Sequence, residues 1–343
     1  MSGLKRLVGG ALVAAAAVMP LRAPIIIKLA TQAPTGTIWE KELRNLGSTW
    51  RVATDGRVTL NVFPDGGAGT ESATVTKMRF GTIQAALLTA GGLSNIDPAF
   101  NVFTIPFFFD NDNEELAVQT KLEPMLEQTL KQKGFHFLCW GTGGWVQIFS
   151  KKPLKTLADV KAAKLYVSSD DAQMQQWYTD NGFHPKPLTL ADIAAQLKLP
   201  DGQIDTAPNT PYLALLTQIY MNAKYMLKVH LAPLVGAVVI TTKAWDSLTP
   251  DDQKKMTEAA RAMETKIRAD SPKEDDDSIA AMTSHGLQVI EPDAAATAEI
   301  RAEATKLGAT MRGKMVPADV YDLAAQARDA VRSGRAGTGR GGR

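Results

Sequence analysis

A single cysteine among 343 residues, Cys139, excludes an intrachain disulfide framework and a thiolate-based zinc site. Its place inside the apolar run Phe135–Trp140 reads as a small buried hydrophobe of a strand. Histidine is scarce as well. The four, His136, His184, His230 and His285, are never three or four residues apart, so neither a helical metal pair nor HExxH exists. No GxSxG elbow occurs. The Gly-rich stretch Phe63–Gly69 precedes a helix but lacks the Lys-Ser/Thr of a P-loop and the spacing of a dinucleotide fingerprint, so it reads as a loop needing positive φ. Threonines lie three residues before acids at Thr156/Asp159, Thr189/Asp192 and Thr249/Asp252, which is capping-box spacing, with Pro250 at a first helical position. These carboxylates therefore read as helix caps rather than catalytic acids. With no catalytic constellation, no metal motif and no cofactor motif, the chain reads as a binder and not an enzyme.

An excess of one charge is lacking too. Lys and Arg number 38 against 36 Asp and Glu, and residues 1–23 hold three of the bases and no acid, leaving 35 against 36. Nucleic-acid binding is not supported. The tail 334–343 carries three arginines among glycines and is expected to be a disordered end. Long apolar runs are rare, apart from Leu7–Met19, thirteen uncharged residues behind Lys5 and Arg6. That is the layout of an export signal, too short for a comfortable membrane span. Residues 1–23 are expected to be a signal peptide, which would place the mature protein in the periplasm.

Strand and helix patterns alternate along the rest. Strands are expected at Ile25–Leu29, Val58–Val62, Gly81–Thr89 and Phe135–Trp140, with helices at about Ile38–Ala53, Ser72–Phe80 and Glu114–Lys133. The near-continuous apolar strand ending at Thr89 suggests a buried parallel sheet, and ligands sit at the carboxyl ends of such strands. A second unit follows: a strand at Ala163–Val167, helices at Ala172–Asn181 and Leu190–Lys198, and a largely helical Pro211–Leu227. A long helix should run from Thr249 to Ser271 or, past Pro272, to Ser284, before a short strand Leu287–Ile290 and helices within Ala294–Ala330 broken near Pro317. Val146–Ser150 and Leu234–Thr242 read as strands crossing between two lobes. The expectation is a two-lobed α/β protein with the crossing strands as hinge, a long helix spanning both lobes, and a ligand cleft at the junction. Lobe I would comprise residues 24–146, completed by about 236–252. Lobe II would comprise 147–235, completed by about 253–333.

Segments in this order resemble a known family. Asp55-Gly-Arg-Val58 with Val62-Phe-Pro64, Met78–Ile83, Ile105-Pro-Phe-Phe-Phe109 and Phe149–Leu154 are followed by Ala158–Lys161, Asp205 with Asn209-Thr-Pro211, Ala223–Met226 and Ala244–Gln253. From about Leu29 to Ala260, and more weakly to about Asp319, the chain resembles the DctP-type substrate-binding proteins of tripartite ATP-independent periplasmic (TRAP) transporters. The resemblance implies a periplasmic-binding-protein-like fold, capture of a small organic solute, and delivery to the membrane subunits of a TRAP permease. A monomer is expected.

Many members of that family hold a carboxylate with an arginine in the motif Lys-Ile-Arg-Val. Here the segment is Lys164-Leu-Tyr166-Val167, and Val146 stands where some members have a second arginine. Loss of both planar forks argues against a simple carboxylate ligand. Lys164 could substitute in part, and Lys224, His230 or a helix N-terminus are other ways to hold an anion. An organic-acid binder using such groups, or a receptor for a signalling partner, are the alternatives. An enzyme would need Tyr166, Asn209 and a histidine to converge. The matching turn makes Asn209 a polar contact, although Pro208 replaces the family's glutamate. Further candidates are Gln32, Thr37, Thr89 and Gly91 from the first lobe, with the aromatics Trp39, Trp145 and Tyr212 and the cleft-lining Tyr166 and Val146.

Overall fold

The computed structural model describes residues 24–334; the expected signal peptide and all but the first residue of the expected tail lie outside the described residues. The first half supplies strands β1 (Ile25–Thr31), β2 (Val58–Phe63), β3 (Ala85–Thr89) and β4 (Phe135–Trp145), with helices α1 (Ile38–Ala53), α2 (Glu71–Arg79), α3 (Ala90–Ser94) and α4 (Asp112–Gln132). Strands β5 (Gln147–Ser150), β6 (Lys164–Ser168), β7 (His184–Leu188), β8 (Thr206–Asn209) and β9 (Tyr225–Leu227) follow, interleaved with α5 (Leu157–Ala162), α6 (Ala172–Asp180), α7 (Ile193–Lys198) and α8 (Pro211–Leu216). Next come β10 (Pro233–Thr241), α9 (Thr242–Trp245), α10 (Pro250–Ser284), β11 (Gln288–Ile290), α11 (Ala294–Ala309) and α12 (Ala318–Arg332).

These strands form two sheets, of order β2-β1-β3-β10-β4 and β11-β9-β5-β8-β6-β7. The inner strands β3, β5 and β10 are largely buried on both faces, which is why they read as apolar runs, whereas β2, β6, β7 and β11 are exposed at alternate or most positions. In the first sheet Leu29, Ala85, Val238 and Ile240 face Leu43, Trp50, Met256 and Ile267 of α1 and α10. Ala86, Leu88, Ala237 and Val239 face the opposite way, toward Phe100, Phe103, Leu122 and Val320. The second sheet alternates likewise: Phe149 and Met226 look one way, Ile148 and Leu227 the other.

The chain passes between the sheets twice before α10. β4 and β5 are one extended run broken only at Val146, and β9 continues through 228–232 into β10. The two crossings are tied to each other: Val146 N donates to Ala232 O at 2.9 Å and Leu231 N to Val146 O at 3.1 Å. Helix α10, 35 residues and so about 52 Å long, buries Met256 and Ile267 against the first sheet and Met282 against the second. Pro272 lies in its interior and removes one helical N–H donor.

Capping at Thr156–Asp159 is reciprocal, as the spacing requires. At Thr249 the hydroxyl accepts from Asp252 N, and the Asp252 carboxylate pairs with Arg57. At Thr189 the hydroxyl donates to Asp192 and caps no N–H. The expected helix Pro211–Leu227 is corrected: it stops at Leu216, Gln218 is left-handed with φ 57°, and Tyr225–Leu227 pairs as a strand with β5 and β11. Strand β7 (His-Pro-Lys-Pro-Leu) escapes the usual strand pattern because of its prolines, which an edge position tolerates.

Trp50 is fully buried and its indole N–H donates to Met256 O at 3.1 Å, locking α1 to α10. Trp50→Ala is expected to cost about 3–5 kcal/mol, read as a lower midpoint in urea unfolding. A cost below about 1 kcal/mol would show that this contact does not hold the helices together.

Candidate ligand-binding site

Between the sheets lies a cavity of about 300 Å³. The parallel strands β1 and β3 on one side, and β6 and β8 on the other, send their carboxyl ends toward it; Thr31, Thr89, Ser168 and Asn209 are the last residues of these strands and all line it. Thr37 caps α1 by accepting from Glu40 N, Gln32 Nε2 donates to Gly69 O at 2.8 Å, and Trp39 Nε1 donates to Thr142 O at 2.9 Å. Asn209 Oδ1 accepts from Thr210 N at 2.9 Å. One hydrogen bond spans the cleft directly: Ile38 N, in the first turn of α1, donates to the Tyr212 hydroxyl of α8 at 3.0 Å.

Eight of the residues singled out from sequence line this cavity together: Gln32, Thr37, Trp39, Thr89, Val146, Tyr166, Asn209 and Tyr212. Two do not. Trp145 turns away from the cavity; its indole N–H donates to Asp112 and its ring stacks on His230, with centroids 4.7 Å apart. Gly91 sits just behind the wall, where a Cβ would come within 3.8 Å of Asp171 of the other lobe. The anion-holding alternatives also fall elsewhere. Lys164 opens β6, away from the strand end that faces the cleft, and its ammonium donates to Gly202 O at 3.3 Å. Neither it, Lys224 nor His230 lines the cavity. No histidine meets Tyr166 and Asn209 there. Burial pushes the Cys139 thiol far above its ordinary range, so it is inert.

Sequence reasoning missed the acids. Glu71, Asp170, Glu274 and Asp275 line the cavity, and no lysine, arginine or histidine does among the described residues. Glu71 opens α2 and would pass for a first-turn carboxylate, but it reaches the end of β3, accepting from Thr89 N and from Thr89 Oγ1, both at 2.6 Å. Burial, and then the charges of Asp170 and Asp171, raise its pKa against the pull of those two bonds. Glu274 and Asp275 belong to the acidic run Glu274–Asp277, which looks like a solvated helix face. Asp275 instead turns inward. Its Oδ2 accepts from Trp145 N at 3.1 Å and its Oδ1 from Tyr212 N at 3.4 Å, so α10 grips the end of β4 and the start of α8 at once. Gly144 makes room: it has φ +84°, and a Cβ there would lie 2.2 Å from Asp275 Oδ2. The Tyr166 hydroxyl is pushed up to about 12 by burial, then by the Glu71 and Asp170 charges, and stays a neutral donor.

Residues 29–313 of this two-sheet chain match DctP, the bacterial extracellular solute-binding protein family 7. The chain belongs to this family. Solved TRAP periplasmic solute-binding proteins share its fold. One from Pseudomonas putida F1 with bound D-glucuronate superposes with a TM-score of 0.79 at 24% identity, covering 90% of this chain and 97% of that one. Another from Desulfovibrio salexigens with bound orotic acid gives 0.82 at 19% identity, covering 90% and 99%. The 2,3-diketo-L-gulonate-binding periplasmic protein YiaO of Escherichia coli is 25% identical over 210 residues, 61% of this chain and 63% of YiaO. The DctP family consists of solute-binding transport proteins. No described helix is long and apolar enough to cross a membrane, and no described cluster of His, Cys, Asp and Glu could hold a metal.

Burial raises the Asp275 pKa to about 6 in the folded protein, above its ordinary 3.8. Between these values the folded state binds more protons than the unfolded one, so this group's contribution falls as pH rises through that window. Asp275→Asn is therefore expected to shrink the stability gained on going from pH 7 to pH 5, measured by denaturant unfolding at both pH values. An unchanged difference would place this titration elsewhere.

Proposed function

We propose that the protein is a periplasmic receptor that captures a small organic solute other than a simple carboxylate and delivers it to TRAP permease subunits, acting as a monomer and without catalysis. Lobe I (24–146, completed by 236–252) and lobe II (147–235, completed by 253–333) close about the paired crossings at Val146 and 231–232. Closure is driven by the ligand's higher affinity for the closed form. Membership of the DctP family supports capture and delivery. The observation that carries the ligand class is the lining of the cavity: four carboxylates and, among the described residues, no cationic side chain. A carboxylate there would be buried unpaired, which is costly. Tyr166 and Val146, in place of arginines, leave hydroxyl and aliphatic contacts. Trp39 and Tyr212 add apolar faces on the lobe I and lobe II sides.

The test is a thermal-unfolding screen on protein stripped of bound ligand. D-glucuronate and orotate, which the structural relatives bind, are expected to leave the midpoint unmoved at millimolar concentration. A true ligand at 100 times its dissociation constant adds about 2.7 kcal/mol, a rise of about 2–4 °C per kcal/mol or less at this size. A rise of that order with either acid would overturn the proposed ligand class while leaving the receptor role intact.

A further inference from the structure

We infer that the ligand carries a positive charge, an ammonium or amidinium group, held across the cleft between Glu71 of one lobe and Asp170 of the other. This rests on the receptor reading above and narrows its ligand class.

The two acids come from opposite sides of the cavity. Glu71 begins α2, beside the end of β3; Asp170 follows β6. Glu71, Tyr166 and Asp170 all line the same cavity, and the Asp170 charge raises the pKa of both Tyr166 and Glu71. Glu71 is satisfied only by the neutral donors of Thr89. The Asp170 carboxylate has neither a hydrogen-bond donor nor an ion-pair partner among the described residues. Asp171, next in sequence, sits against Gly91 and adds a third negative charge at the same seam.

Closing the lobes therefore brings like charges together. In an empty cleft water screens them. A ligand displaces that water and lowers the local dielectric, which strengthens the repulsion. A neutral ligand leaves the repulsion in place, and an anionic one worsens it. A cation set between Glu71 and Asp170 reverses the sign: each lobe is then attracted to the ligand, and so the ligand draws the lobes together. Charge-assisted hydrogen bonds to both carboxylates are the strong kind. The neutral Tyr166 and the indole of Trp39, held by its bond to Thr142, offer aromatic faces to the same group. The acids thus give closure its dependence on ligand as well as its selectivity.

The experiment uses matched probes that differ in charge. One set is D-glucosamine, D-glucose and D-glucuronate; the other is benzylamine, benzyl alcohol and benzoate. Each is titrated calorimetrically into ligand-stripped protein at two salt concentrations. An ammonium member is expected to bind at least roughly tenfold more tightly than its neutral counterpart, and more weakly as salt rises. Asp170→Asn should abolish that preference while raising the midpoint of the ligand-free protein. Glu71→Gln, which keeps an acceptor for Thr89, should weaken ammonium binding in the same direction. If neutral members bind as tightly as ammonium members, this inference fails while the non-carboxylate reading stands. Tightest binding by a carboxylate member overturns both. If no ammonium member of either set binds, or if the preference survives both substitutions, the inference is overturned.

Discussion

Two backbone hydrogen bonds at Val146 tie together the two places where the chain passes from one sheet to the other. The chain crosses between the sheets beside Val146 and again at 228–232, and these crossings are bonded to each other. Rotation of one sheet relative to the other must therefore bend an antiparallel ribbon at one place rather than slide two independent linkers. Other contacts across the junction include the Ile38–Tyr212 bond, the double grip of Asp275, and the approach of Gly91 to Asp171.

The long helix α10 complicates a simple pivot. It packs on the first sheet through Met256 and Ile267 and on the second through Met282, so it must flex or shift when the sheets move. Pro272 weakens the helix ladder between those two anchorages, three residues before Asp275. A weak point, a gripping carboxylate and the end of β4 thus fall within one turn of helix. Protonation of Asp275 therefore bears on the contacts that join the end of β4 and the start of α8 to α10.

The two-lobed fold was legible because the inner strands are buried on both faces: runs such as Ala85–Thr89 and Val235–Ile240 admit few other readings. The end of the helix after Pro211 was not, since Leu213, Leu215 and Ile219 keep a helical rhythm while Gln218 takes a left-handed conformation that side-chain pattern does not encode. At the site, residues at strand ends such as Thr89 and Asn209 could be found from the topology of α/β sheets. Trp145 could not be placed, because its partners Asp112 and His230 are distant in sequence. The acids escaped for a different reason. Glu71 looks like a helix-opening carboxylate and Glu274–Asp277 like a solvated face, and only the tertiary arrangement turns Glu71, Glu274 and Asp275 toward the cavity.

Strand β7 has a consequence for how the second lobe meets other proteins. Residues of a parallel strand bond alternately to either side, and β7 pairs only with β6. Pro185 and Pro187 alternate with His184, Lys186 and Leu188, so the prolines take the positions whose amide would point outward. That edge offers carbonyls but almost no donors, and an incoming strand could form at best half a ladder. Extension of the sheet there by another chain is disfavoured. Whatever partner recognises the second lobe on that flank has to read side chains and surface shape, not backbone.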